Sequence, residues 1–212
     1  MDGRFLTAFI VPQKWAIAGY ELRPYSLRHC LYLTALGSPL VDKSSKMPMT
    51  PEMLIIFCRV CSGEAPETCC RKLTIRDEYH LGKMIGSSDY FLEVLKGIMN
   101  YVQECSSAPV TYSKDKEKVV NSENVPGPLQ IAVGLMANLG MTPDQAWDTP
   151  VGQAIWYMTA YSISQGADTK ILSTEQEARA DYEKEILAKL TAEHLERVKF
   201  QQSGQTQKRN GI

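Results

Sequence analysis

Apolar residues recur at three- and four-residue spacing through most of this 212-residue chain, the period of an amphipathic helix rather than of a strand. Each such stretch opens on a helix-start signal. Ser26 precedes Leu27, Cys30, Leu31 and Thr34, which share a face, with Gly37 as the stop. Thr50-Pro51 precedes Met53, Leu54, Phe57, Cys58 and Cys61, ended by Gly63. A hydroxyl at the N-cap and proline at the first helical position are the expected chemistry, and a glycine just past the end suits the left-handed closing residue. Thr74 caps a further helix with Ile75, Tyr79 and Met84 inward, and Ser87 to Asp89 start another with Phe91, Leu92, Leu95, Ile98, Met99 and Val102 as its apolar face.

The second half repeats these signals. Pro128 opens a helix with Leu129, Ala132, Val133 and Met136 spaced for burial and Gly140 as the stop; Gly134 within it either allows close helix approach or merely weakens the helix. Thr142-Pro143-Asp144-Gln145 forms a capping box, and Thr149-Pro150 starts the next helix, with Val151, Ala154, Ile155 and Met158 on one side and Gly166 at its end. Trp156 and Tyr157 lie partly off that stripe and are free to meet a second element or a partner. Ser173 with Gln176 begins a long, charged helix to about Phe200, whose apolar stripe is thin enough to dock on another chain. Two stretches depart from helical period. Trp15 to Leu22 alternates around Ala18-Gly19 and predicts a short hairpin. Phe5 to Val11 is too short to decide between strand and helix.

The expected fold is therefore mainly α: an irregular helical bundle with a short N-terminal β-hairpin and a long C-terminal helix. Residues 106–128, polar with a Lys-Asp-Lys-Glu-Lys run, read as a solvated linker. They separate an N-terminal helical domain, 1–105, from a C-terminal helical region, 129–200, and 201–212 read as a disordered polar tail.

Composition narrows the function. A formal net charge of -1 argues against nucleic-acid binding. An acidic Asp2 and an early Pro12 argue against a signal peptide, and no apolar run approaches the roughly 18 residues of a membrane span, so the expected location is the reducing cytoplasm. The six cysteines are then expected as free thiols. Cys58 and Cys61 form a CxxC, with Cys69 and Cys70 following. Four such thiolates suit zinc, but the first pair sits in an apolar helix, which favours packing. Phosphate-binding, dinucleotide, nucleophile-elbow and zinc-protease motifs are absent. Asp144 and Asp148, four apart, suit a helix N-terminus, and Glu78 and His80, two apart, do not face each other on a helix. No cofactor and no enzymatic activity are expected.

Two segments in combination carry a resemblance: Leu22-Arg-Pro-Tyr-Ser-Leu-Arg-His29 leading to Leu36-Gly-Ser-Pro39, and Met141-Thr-Pro, Trp147 and Ala154-Ile-Trp156. Together, over about a quarter of the chain, they resemble the tail assembly chaperones of tailed bacteriophages. The resemblance implies a helical, non-catalytic protein that binds tape-measure and tail-tube proteins during assembly, in the host cytoplasm if viral, while the net charge and the lack of a long apolar run argue against nucleic acid and membrane as partners. The residues expected to make contact are Trp156, Tyr157, Leu187, Leu190 and Val198, and homo-oligomers are compatible with this reading. The alternatives are a structural virion component, such as a head–tail connector subunit, and a zinc-stabilised binding module.

Overall fold

The computed structural model describes residues 3–9, 14–41, 47–70, 72–113, 126–173 and 175–179, with residues 182, 186 and 189–191 beyond them. The protein is mainly helical, with a short antiparallel hairpin near its N-terminus. The elements run α1 (Gly3–Phe9), β1 (Trp15–Ile17), β2 (Tyr20–Leu22), α2 (Leu27–Ala35), α3 (Pro51–Ser62), α4 (Pro66–Cys69), α5 (Ile75–Gly86), α6 (Ser88–Cys105), β3 (Thr111–Ser113), α7 (Gly127–Leu139), α8 (Pro143–Asp148), α9 (Val151–Ser164) and β4 (Thr169–Ile171). Two compact units result, one from Met1–Pro109 and Ser113–Thr169, the other from Val110–Tyr112 and Lys170–Ile212.

The helix starts follow the local chemistry. Ser26, Thr50, Thr74, Ser87 and Thr142 each accept the backbone N–H three residues on. Gly63 and Gly140 close their helices at φ of +94° and +67°. The hairpin pairs Trp15 with Leu22, and Ala18 and Gly19 both take positive φ, the requirement of the tight turn that matches strand twist. The undecided run at Phe5 is helical over Gly3–Phe9. Of the long C-terminal helix, residues 175–179, 182, 186 and 189–191 are helical. The remainder, with most of the polar stretch after residue 113 and the tail, lies outside the described residues. β3 pairs with β4, two short strands that the hydrophobic pattern did not announce.

Helix α3 is the centre of the larger unit. Eight of its residues, Met53 to Cys61 without Ile56, are buried, and it packs on β2, α2, α4, α5 and α6. Its apolar cluster takes in Tyr20, Leu22, Tyr25, Leu33, Val94, Ile98 and Tyr101. A smaller cluster of Leu27, Ala132, Leu135, Ala146 and Ala154 joins α2 to α7, α8 and α9. Val151 packs against both. The backbone continues this link: Val151 N–H donates to the Tyr25 carbonyl (2.9 Å) and Leu27 N–H to that of Thr149 (3.1 Å).

Several helix faces differ from those the spacing predicts. On α2 the buried residues are Leu27, His29 and Leu33, while Thr34 is exposed. On α5 they are Asp77 and Met84, and Ile75 and Tyr79 point to solvent. On α6 they are Val94, Ile98 and Tyr101, and Leu92 and Met99 are exposed. On α7, Leu135 is buried in place of Val133. On α9, Gly152, Ala154 and Trp156 are buried, and Val151, Ile155 and Met158 only partly so. In each case tertiary partners lie on the less apolar or equally apolar side, which periodicity alone cannot rank.

Gly134 allows close approach of α7 to α9: a Cβ there would meet Met158 Cε at 2.7 Å. Gly152 is tighter in kind, because its Cβ would meet the backbone carbonyls of Ser107 (2.7 Å) and Cys105 (2.9 Å). Gly134→Ala displaces only the flexible end of a methionine, so the helix-propensity gain of about 1 kcal/mol offsets it. Gly152→Ala must move backbone, and overpacking of about 1–3 kcal/mol outweighs that gain. Urea unfolding of the two variants should show Gly134→Ala near wild type and Gly152→Ala clearly destabilised; equal midpoints would contradict the packing at α9.

Candidate functional site

Helix α9 carries an aromatic shelf already occupied by a segment of the same chain. Trp156 is 8% exposed. Its ring meets Phe5 of α1 edge-on, with centroids 5.5 Å apart, and Tyr157 meets Phe9 in the same way at 5.4 Å. Phe5 and Phe9, one turn apart, lie 4.7 Å from each other. Gln153 Nε2 donates to the Ala8 carbonyl (2.8 Å). The seven-residue α1 has no fully buried residue, so these rings and one hydrogen bond form much of its attachment to α9. Trp156 Nε1–H is buried without an acceptor among the described residues. Beside the shelf a shallow cleft is lined by Met141, Gln145, Asp148, Thr149, Gln153 and Tyr157.

The buried charges lie elsewhere, between α3 and α5. Asp77, fully buried, accepts from the Tyr20 hydroxyl, from Thr74 N–H (2.7 Å) and from Arg59 Nη1 (3.4 Å). Arg59 also donates through Nε to Glu64 (2.7 Å), Nη2 to the Thr68 carbonyl (3.0 Å) and Nη1 to that of Lys72 (3.3 Å). Burial pushes the Asp77 carboxyl up, but these donors outweigh it and hold the group below its ordinary value. Burial and the Asp77 charge raise Tyr20 to about 12, so the phenol stays protonated and donates. Each Arg59 side-chain nitrogen and each Asp77 oxygen has a partner, and Asp77 has no access to solvent, which makes the network a structural device tying α3, α5 and the hairpin together.

The remaining candidates are placed separately. Cys58, Cys61 and Cys69 are buried and Cys70 is exposed. Burial pushes the Cys58 thiol up to about 12 and that of Cys69 to about 11, away from the thiolate that metal binding needs. No group of three or more His, Cys, Asp or Glu side chains placed to hold a metal occurs among the described residues. His80 Nδ1 meets the Tyr90 hydroxyl at 2.6 Å, and Lys83 Nζ lies 4.1 Å from the centre of the Tyr90 ring. Asp144 and Asp148 both pair with Arg28 of α2, at 3.1 and 2.6 Å. That clamp is solvent-facing, a setting in which ion pairs contribute about 1 kcal/mol or less. Leu190 is helical and 56% exposed in the second unit, while Leu187 and Val198 lie outside the described residues. No helix among the described residues is long and apolar enough to cross a membrane.

Two features were missed in the sequence although a signal for each was present. Asp77 stands three residues after Thr74, the spacing of a capping box, and the structure forms that box. Phe5 and Phe9 are four apart, the spacing that puts two rings on one helix face. Comparison with protein-family models, curated proteins and solved structures found no match.

Proposed function

We propose that this chain is a non-enzymatic assembly protein of the tail-assembly-chaperone kind, binding tape-measure or tail-tube proteins of a tailed bacteriophage in the host cytoplasm. The phage assignment rests on the resemblance carried by Leu22 to Pro39 and Met141 to Trp156. The observation that carries the binding reading is the α9 shelf: Trp156 and Tyr157 take up a short helix through Phe5 and Phe9. A partner helix with two apolar residues one turn apart fits the same shelf after displacing α1, the helix-in-groove mode of recognition. Aromatic residues on such surfaces dominate affinity, with truncations costing about 2 kcal/mol or more.

Co-expression with tape-measure and tail-tube proteins tests this. The wild-type chain should co-purify with one of them. Tyr157→Ala, at a half-buried position, should keep the fold and weaken capture by roughly tenfold or more. Phe9→Ala, which loosens α1 from the shelf, should strengthen it. A folded wild-type chain that captures neither protein, with tail assembly unaffected by its deletion, would overturn the proposal.

A further inference from the structure

A second apolar surface lies on the outer face of α5. Ile75 is 87% exposed, Tyr79 63% and Ile85 68%. Ile75, Tyr79, Gly82 and Gly86 follow one another at intervals of four, three and four, the seam spacing of a two-stranded coiled coil. Gly82 stands in the helix interior, where glycine is about 1 kcal/mol less favourable than alanine. No packing among the described residues explains it, since a Cβ at Gly82 or at Gly86 would meet none of their atoms within 4 Å. The glycines leave a flat place on an apolar strip that the protein exposes.

The charges beside the strip select the occupant. Glu78 flanks one side of the seam and Lys83 the other, five residues later, and both are exposed. In a parallel pair of α5 helices related by a twofold axis along the seam, flanks of opposite side face each other with that offset, so Glu78 of each copy comes opposite Lys83 of the other. An antiparallel pair would set like flank against like. The geometry points to a second copy of this chain: α5 is the seam of a parallel homodimer, closed over Gly82. A twelve-residue helix supplies a small interface, so the dimer is weak, of about micromolar affinity. The shelf on α9 takes no part in this surface, and dimerisation stands or falls independently of partner capture.

Sedimentation velocity of the full chain from about 1 to 200 µM, a span chosen to bracket weak interfaces of this size, should show a reversible monomer–dimer shift. Gly82→Gln should abolish the dimer while leaving the thermal midpoint unchanged or higher, because the monomer has room for the side chain. Glu78→Lys should weaken association at least tenfold, and Glu78→Lys combined with Lys83→Glu should restore it. A species of monomer mass at every concentration, or a dimer indifferent to Gly82→Gln and to charge reversal, would overturn the inference.

Discussion

Replacing Asp77 with alanine is expected to destabilise the protein by about 3–5 kcal/mol, the typical result of removing one partner from a buried ion pair. The value is large because the loss falls on several groups at once. Arg59, 5% exposed, keeps its charge, and of its carboxylate partners only Glu64 remains. The Tyr20 hydroxyl loses its acceptor in the core, and Thr74 N–H loses the reciprocal half of its cap. Asp77→Asn preserves size and one acceptor, so its loss should be smaller. Arg59→Met combined with Asp77→Leu removes both charges but also takes the donor away from Glu64 and from the Thr68 and Lys72 carbonyls, so it should cost at least as much as Asp77→Ala. Urea unfolding of the three variants at neutral pH checks this order. An Asp77→Ala loss below about 1 kcal/mol, the range of surface pairs, would contradict the network.

Stability should also fall by roughly 3 kcal/mol between pH 6.5 and pH 4, and His29 is the cause. Its Nδ1 accepts the Ser26 N–H (3.2 Å) while Ser26 Oγ accepts the His29 N–H (3.4 Å), a reciprocal cap on α2. Protonation of Nδ1 would destroy the first of these bonds. Burial, reinforced by the nearby charge of Arg23, lowers His29 to about 4, and Asp148 and the Pro24 carbonyl oppose this only in part. The unfolded chain takes up the proton near pH 6.5, before the folded chain does. The contribution is therefore fully present above about 6.5 and is lost as pH falls to about 4. A change from 6.5 to about 4 corresponds to roughly 3 kcal/mol. The depressed carboxyl of Asp77 acts in a separate window: its contribution is present above about pH 4 and is lost at lower pH, as the folded carboxyl protonates. His29→Gln keeps the usual capping-box partner without the titration. It should flatten the upper window and leave the lower one, and a His29→Gln profile identical to wild type would exclude His29 as the cause.

The local layer of this protein was legible because its causes are local. Thr142-Pro143-Asp144-Gln145 states a helix start within four residues, and the capping box is there. Ala18-Gly19 between alternating residues states a turn, and the hairpin forms in that register. What periodicity could not rank was which face of a helix points inward. On α5, Ile75 and Tyr79 are more apolar than Asp77, yet Asp77 is buried, because Arg59 and Tyr20 arrive from elements 18 and 57 residues away. His29 lies beside the charged Arg28, yet it is buried, because Tyr25 stacks on it and the Ser26 cap turns it inward. Asp144 and Asp148 look like an acidic helix start until Arg28, more than a hundred residues earlier, reaches both.

By itself, then, the sequence determined the mainly helical class, the helix starts and stops and the hairpin. Each depends on residues within one or two turns of one another. The tertiary structure alone decided which faces are buried, that a polar network lies in the core, that α1 covers Trp156, and that Ile75 and Tyr79 face outward. Those outcomes depend on pairs far apart in sequence, where burial of a charge is acceptable only once every donor and acceptor around it has been supplied.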